Sequence, residues 1–218
     1  MLSSSLRNPA VRRWATTTTT SSSRWASTLV ISDPLNEAGE TPPGTQSAVT
    51  AAGKFGQAVA LLVVGESPPN KIPEGVTSVY YVGIGDKLSE TVASSIQAVA
   101  MSKDCNIVVG TASKFGSTVI PRAAALLESS PITDILEIQD ANTFVRPMYA
   151  GNVLCKVTSK NNKTPIKVLS IRPTSFEKAA LVDASNVDIE TIDGVTPFAA
   201  AEWISEAVSK SDRPDLGR

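Results

Sequence analysis

The stretch from residue 104 to residue 127 constrains the fold more than any other part of the chain. A short apolar run, Ile107–Val109, has polar or small residues on both sides, which is the pattern of a buried strand. A loop of small residues, 110–116, follows it. The next residues carry Pro121 in an early turn and an apolar side of alanine and leucine, as a helix would. Strand, loop and helix in this order predict an α/β fold whose functional edge lies at the strand's carboxyl end.

The same alternation extends over most of the chain. The run Ala58–Val64 is continuously apolar, which is typical of a parallel strand covered on both faces. The fold class predicted for residues 27–176 is α/β, with one mostly parallel, twisted sheet flanked by helices in three layers. The other predicted strands are 27–32, 79–82, 135–138, 143–146, 152–157 and 166–171, with helices at 47–55 and 88–101 and a hairpin-like turn at 159–164.

The two ends of the chain differ from this pattern. Residues 1–26 contain four arginines, many serines and threonines and no acidic residue, which predicts a mitochondrial transit peptide. A plastid transit peptide and an unstructured tail are the alternatives. Residues 177–197 are acidic and unpatterned and predict a linker. Residues 198–210 predict a short amphipathic helix, and a polar end follows to residue 218.

Composition argues against several classes of function. The net charge of −1 and the lack of a basic stripe argue against nucleic-acid binding. The chain has no histidine, the commonest general base and metal ligand, and we assign no catalytic residue and no metal site. Cys105 and Cys155 lie far apart in strand-like runs and predict buried free thiols. No apolar run is long enough for membrane insertion.

Two glycine-containing loops follow predicted strands and are candidate nucleotide sites. The loop 110–116 could hold a phosphate with its backbone N–H groups at a helix start, but it lacks the Gly-Lys-Ser/Thr of a P-loop. Gly83-Ile84-Gly85 lacks the third glycine of a dinucleotide fingerprint, so a tight turn is the simpler interpretation.

Three arginines and one turn are the remaining candidates. Arg122, Arg146 and Arg172 each lie within a run of apolar or small residues, where a charge is usually paired or faces an interface. They could orient loops that meet a partner, or form structural ion pairs with Asp134, Glu137 or another carboxylate. The segment Tyr149–Asn152 could touch a cofactor held elsewhere or fix a loop. Tyr149 and Asn152 therefore join the three arginines as interface or loop-orienting candidates.

Several of these motifs, in this order and spacing, resemble the N-terminal domain of the α subunit of electron transfer flavoprotein. The resemblance runs from about residue 27 to residue 176 and resumes at 209–216. It is carried by Phe115-Gly116, Pro121-Arg-Ala-Ala124, Pro131-Ile-Thr-Asp-Ile135, Thr143-Phe-Val-Arg146, Tyr149-Ala-Gly-Asn152, Arg172-Pro-Thr-Ser-Phe176 and Ser209-Lys-Ser-Asp-Arg-Pro-Asp-Leu216.

The resemblance implies a Rossmann-like, adenine-nucleotide-hydrolase-like domain in an electron carrier rather than a classical enzyme. In the family, the α subunit forms a heterodimer with a β subunit in the mitochondrial matrix. It carries electrons from acyl-CoA and related dehydrogenases to a flavoprotein–quinone oxidoreductase, in fatty-acid and amino-acid oxidation. The N-terminal domain is a scaffold that packs with the β subunit, and a C-terminal domain binds FAD.

No glycine-rich flavin motif follows Leu216, where the family carries its FAD-binding domain. FAD is therefore expected for the complete family member and not for this chain alone, and no flavin ligand is assigned here. Residues 198–218 are interpreted as the approach to that domain. Three functions stay open: the N-terminal part of the α subunit, a stand-alone scaffold without cofactor that binds a β-type partner, and an adenine-nucleotide-binding domain.

Overall fold

The computed structural model describes residues 27–85, 88–160 and 166–193, together with Ala201 and Ile204. The transit peptide predicted for 1–26 and the helix predicted for 198–210 lie outside this part of the chain, apart from those two residues. None of the helices in the described part has the length and apolar content needed to span a membrane.

Seven parallel strands form the central sheet in the part of the chain that the structure describes. They are β1 (Ser27–Ile31), β2 (Ala58–Gly65), β4 (Ser78–Gly83), β5 (Cys105–Thr111), β6 (Ile132–Ile135), β10 (Lys167–Ile171) and β12 (Ile189–Thr191). Their spatial order is β12-β4-β2-β1-β5-β10-β6. The inner strands are rich in β-branched and leucine residues with almost no solvent exposure, as expected for a parallel sheet covered on both faces.

Within the described residues, three helices flank the central sheet: α1 (Pro43–Gly53), α2 (Ser89–Ser102) and α3 (Lys114–Leu126). The prediction for α2 differs from the structure by one residue at each end. Helix α1 begins four residues before its predicted start because a proline occupies its first turn, where a missing N–H costs nothing. Helix α3 begins inside the stretch predicted as a small-residue loop, since the hydroxyl of Ser113 caps it.

Two small antiparallel sheets complete the described fold. One pairs β3 (Lys71–Pro73) with β11 (Leu181–Asp183). The other contains β7 (Glu137–Asp140), β8 (Thr143–Met148) and β9 (Val153–Thr158), with β8 in the centre. We call it the three-stranded sheet.

Side chains on the two faces of the central sheet belong to two separate apolar clusters. Helices α2 and α3 cover one face, in a cluster that includes Leu62 and Val108. Helix α1 and inner side chains of both small sheets cover the other, in a cluster that includes Val109 and Phe144. The architecture is therefore the predicted three-layer, parallel α/β fold, with part of one outer layer built from strands rather than helix.

Two of the predictions for the strand-rich part are wrong. The run 135–138 is not one strand, because the backbone N–H of Leu136 bonds to Val145 and the chain leaves the central sheet there. Strands β9 and β10 do not form a hairpin with each other, since they belong to different sheets, and residues 161–164 of the turn predicted between them lie outside the described part. Local sequence shows where a strand forms but not which partner it pairs with.

The segment predicted as a linker, 177–197, contributes two strands to the fold, and residues 194–197 lie outside the described part. Strand β12 extends the central sheet beyond β4, and β11 pairs with β3, which is not among the strands predicted from the sequence. These strands have three residues each, too short to show a period in the sequence. The ordered α/β unit therefore reaches at least Thr191 rather than Phe176.

Candidate functional site

The carboxyl ends of β1 and β5 meet at the position where an open α/β sheet usually binds its ligand. Strand β1 pairs with β2 on one side and with β5 on the other, so the order of strands reverses there. Asp33 lies just beyond the end of β1, Thr111 is the last residue of β5, and Ser113 caps α3. The topology thus brings one carboxylate and two hydroxyls together.

These three side chains form a hydrogen-bonded cluster. Thr111 Oγ1 lies 2.8 and 2.9 Å from the two carboxylate oxygens of Asp33, and Ser113 Oγ donates to Oδ1 at 2.9 Å. Burial raises the pKa of Asp33 from its ordinary value, and the two hydroxyl hydrogen bonds oppose that effect. Within the described ranges no lysine or arginine forms an ion pair with Asp33, so hydroxyl donors are the main support of this partly buried carboxylate.

The start of α3 is packed too closely to act as an open phosphate loop. The N–H of Gly116 donates to Ser113 Oγ at 2.9 Å, so one helix-start donor is already satisfied. A Cβ on Gly116 would lie 2.0 Å from the backbone oxygen of Thr111. Gly116 therefore allows close packing of α3 on β5. Because the neighbouring Asp33 carboxylate is an anion, the geometry disfavours a nucleotide phosphate at this helix start.

A small cavity of about 190 Å³ lies beside the cluster, at the ends of β1, β2 and β4. Its lining includes Leu35, Glu66, Ile84 and Phe115, and the described residues around it contribute no cationic side chain. At Gly83 the chain makes the tight turn expected from the sequence, since Ile84 N–H donates to the carbonyl of Val82. This cavity therefore also offers little to an anionic nucleotide.

The three candidate arginines lie in different environments. Arg172 donates from Nε to Asp134 Oδ1 at 2.8 Å and from Nη2 to Oδ2, the pair considered from sequence. Arg122 Nη1 lies 3.1 Å from Glu90 Oε1, a carboxylate that the sequence analysis left open without naming it. The first pair joins the end of β10 to β6, and the second joins α3 to α2. Both arginines therefore hold neighbouring elements of the scaffold together.

Arg146 differs from the other two arginines because the Nε of its guanidinium group is buried, although the residue as a whole is half-buried. It lies on the central strand of the three-stranded sheet, two residues after the fully buried Phe144 and on the same face. Its Nε is buried and has no hydrogen-bond partner among the described residues, and Glu137, also considered as a partner from sequence, forms no ion pair with it. A cation in this position calls for an anionic partner.

The candidates Tyr149 and Asn152 lie in an exposed turn between β8 and β9. Tyr149 and Ala150 have φ values of 52° and 55°, and Gly151 has 89°, so three successive residues are left-handed. Backbone N–H groups of Gly151 and Asn152 bond to carbonyls three residues earlier in the turn. Non-glycine residues in this region are strained, and such strain is concentrated at functional sites.

The turn also presents apolar side chains to solvent. Tyr149 is 76% exposed, Leu154 is 65% exposed, and Met148 and Val153 are also exposed. We call these four side chains, around the β8–β9 turn, the turn patch. A group of large apolar side chains outside the core is typical of a surface that contacts another protein.

Sequence reasoning missed the Asp33 cluster because its members are 78 and 80 residues apart. One signal was available: an aspartate directly after an apolar strand lies at the carboxyl edge of a parallel sheet. Of the two cysteines, Cys105 is buried as expected, whereas Cys155 is only half-buried, because β9 is an edge strand of the three-stranded sheet.

Comparison with known proteins agrees with this architecture. The family model described as "Electron transfer flavoprotein domain" matches residues 33–211. The chain belongs to the electron transfer flavoprotein family. The match begins at Asp33, in the cluster at the carboxyl edge, and extends beyond β12, so this family's domain includes the segment that the sequence alone suggested to be a linker.

Several curated relatives of this electron transfer flavoprotein family carry the name of its α subunit. A probable electron transfer flavoprotein subunit alpha, mitochondrial, of Caenorhabditis elegans is 36% identical over 209 residues, covering 89% of this chain and 59% of that protein. A protein of the same name from Cryptococcus neoformans is 32% identical over 205 residues, covering 89% and 58%. Electron transfer flavoprotein subunit alpha, mitochondrial, of Arabidopsis thaliana is 31% identical over 226 residues, covering 91% and 59%. The chain thus spans about three fifths of the length of these relatives.

Proposed function

We propose that this chain is the N-terminal part of an electron transfer flavoprotein α subunit and acts in electron carriage together with a β subunit. The complete carrier takes electrons from acyl-CoA and related dehydrogenases and passes them to a flavoprotein–quinone oxidoreductase. The observation that carries the proposal is the family match over 33–211, which includes all the described α/β unit after β1. The relatives' names support the α rather than the β subunit.

In this proposal the described residues serve as scaffold and not as a flavin site. FAD carries a pyrophosphate, which is usually held by helix N-termini, backbone N–H groups or cations. At the carboxyl edge of this sheet the start of α3 faces the carboxylate of Asp33, and the described lining of the adjacent cavity has no cation. The residues present there do not fit FAD, so we derive no redox step from them.

We further propose that the turn patch contacts the β subunit. Tyr149 and Asn152 lie at the turn, and the exposed Leu154 and Met148 supply apolar area beside them. Aromatic and methionine side chains are enriched in protein–protein interfaces. In this arrangement Arg122 and Arg172 act indirectly, since their ion pairs fix the elements behind the interface.

The proposed location is the mitochondrial matrix, with residues 1–26 as the transit peptide and 198–218 as the approach to the FAD-binding domain. The relatives are named mitochondrial, and the composition of residues 1–26, rich in arginine and without acidic residues, supports the same location.

The test is co-expression of the full chain with the β subunit of the same organism, followed by affinity purification of one tagged partner. We expect a one-to-one complex, with flavin absorbance if a FAD-binding domain is supplied as part of the α subunit. The complex should then be reduced by an acyl-CoA dehydrogenase in the presence of its substrate. A β complex that never acquires flavin would support the scaffold alternative, and no β complex at all would contradict both.

A further inference from the structure

A second crevice lies at the amino-terminal end of β10, the end opposite to the carboxyl edge of the sheet. It has a volume of about 570 Å³ and is formed where the beginnings of β10 and β6 face the three-stranded sheet. Arg146 lines it from β8, Lys167 from the start of β10, and the exposed Lys160 from the segment after β9. We call it the inter-sheet crevice.

The crevice is cationic. None of the described residues that line it is acidic. Burial lowers the pKa of Lys167, and the nearby carboxylate of Asp140 opposes that effect. Lys167 Nζ donates to the carbonyl of Ala141 at 2.8 Å and to Asn142 Oδ1 at 2.7 Å. An ammonium group has three N–H donors, so one donor of Lys167 is left for another acceptor.

Arg146 adds a second cation to the crevice, and its buried Nε has no hydrogen-bond acceptor among the described residues. In Arg172, by contrast, both Nε and Nη2 donate hydrogen bonds to the carboxylate of Asp134. A buried donor that finds no acceptor loses its hydrogen bonds to water without compensation. An arginine with a buried Nε and without a carboxylate therefore indicates a place prepared for an external anion.

We propose that the inter-sheet crevice binds a small organic phosphate, with Arg146 and Lys167 holding the phosphate group and Lys160 at the mouth. Two fixed cations with no acid in the described lining suit a dianion better than a monocarboxylate. Pro131, Ile132 and Leu169 supply apolar walls for the organic part of the ligand. This site is separate from the carboxyl edge of the sheet. The proposal that it binds a phosphate does not depend on the function proposed above.

The experiment is isothermal titration of the full chain with phenyl phosphate, inorganic phosphate and succinate at equal ionic strength. We expect saturable binding, tightest for phenyl phosphate because its ring meets the apolar walls. Arg146→Gln should weaken binding at least about tenfold, the loss expected when a charge-assisted hydrogen bond is removed. Lys114→Gln, at the start of α3, is the matched control and should bind as the wild type does.

A second variant protects the test against misfolding. Lys160 is exposed at the mouth and is expected to tolerate Lys160→Glu, which should weaken phenyl phosphate binding by repulsion even if Arg146→Gln does not fold. The proposal is overturned by an absence of saturable heat, by unchanged binding in a folded Arg146→Gln or in Lys160→Glu, by loss of binding in Lys114→Gln, or by succinate binding as tightly as phenyl phosphate.

Discussion

Thr111 Oγ1 lies 2.8 Å from Asp33 Oδ1 and thereby ties the carboxyl end of β5 to that of β1. The two strands belong to a parallel sheet, so their ends meet without any local sequence signal joining them. The carboxylate that this contact holds is partly buried, at the point where open α/β folds bind their ligands.

The first prediction concerns the charge of Asp33. Burial raises its pKa in the folded protein above the ordinary 3.8. The protonated form therefore favours folding; this stabilisation is complete below pH 3.8 and is lost as the pH rises through the folded-state pKa. At pH 7 we expect Asp33→Asn to melt at a higher temperature than the wild type, because a neutral amide oxygen still accepts from Thr111.

Thermal melts between pH 4 and pH 8 would check this prediction, with the advantage of Asp33→Asn shrinking as the pH falls. Glu74→Gln removes one exposed carboxylate and is the control for net charge. If Asp33→Asn lowered the melting temperature equally at every pH, the charge of Asp33 would be stabilising and burial would not be the dominant effect.

The second prediction concerns the packing of α3 on β5. Ala at position 116 would place its Cβ 2.0 Å from the backbone oxygen of Thr111, which cannot move without disturbing the strand. We expect Gly116→Ala to lower the free energy of unfolding by about 3 kcal/mol or more, the upper part of the range for overpacking. Urea denaturation would measure it.

Gly53→Ala is the matched control for Gly116→Ala. Gly53 ends α1, and apart from its chain neighbours and the backbone of α1 none of the described atoms lies within 4 Å of the place that an alanine methyl would take. Alanine there should raise stability by up to about 1 kcal/mol through helix propensity. Equal effects of the two substitutions would contradict the role of close packing at Gly116.

The third prediction tests whether the three-stranded sheet and the central sheet unfold together. Phe144 lies on β8, yet it is fully buried in the cluster that covers the central sheet, and its ring centroid is 6.4 Å from that of Phe55. We expect Phe144→Ala to cost about 3–5 kcal/mol. Far- and near-ultraviolet circular dichroism should show one common transition.

Val153→Ala is the control, since Val153 is exposed on the same sheet and should change stability by less than about 0.5 kcal/mol. Two separate transitions in the Phe144→Ala variant, with the central sheet unaffected, would mean that the three-stranded sheet is an independent unit.

The fourth prediction concerns the pair formed by Arg172 and Asp134. The side chain of Arg172 is 42% exposed, so water screens much of the attraction despite the two-pronged geometry. A double-mutant cycle of Arg172→Met and Asp134→Asn should give a coupling energy of at most about 1 kcal/mol. Asparagine is chosen because residue 134 has φ of 60°, a conformation that asparagine tolerates well. Coupling that persists unchanged in high salt would contradict an exposed, screened pair.

The fifth prediction concerns the turn patch and the proposed β subunit. Tyr149→Ser and Leu154→Ser remove exposed apolar side chains, so the melting temperature of the isolated chain should change little. Each should weaken co-purification with the β subunit, by about tenfold or more in affinity if the residue lies at the centre of the interface.

Met101→Ser is the control for the turn patch, because Met101 is 63% exposed at the end of α2, away from the three-stranded sheet. Unchanged affinity in both turn variants would exclude the turn patch as the main contact. A loss caused equally by Met101→Ser would indicate a general effect of removing exposed apolar side chains rather than a specific interface.

The sequence by itself determined the elements that repeat a strong local pattern. The apolar runs of β2 and β5 and the helical spacing of α2 correspond to elements of the structure. A strand buried on both faces has a continuous apolar run, and a helix buried on one face has apolar residues at helical spacing, so both patterns can be recognised in neighbouring residues of the sequence. The ordered motifs also indicated the family, which the match over 33–211 bears out.

Tertiary structure alone decided which distant segments meet. It added β12 to the central sheet, separated β6 from β7, placed Asp33 against Thr111 and buried the Nε of Arg146 with no described carboxylate beside it. The physical reason is that pairing, burial and charge compensation depend on contacts between residues far apart in the chain, and such contacts leave no periodic signal in a single sequence.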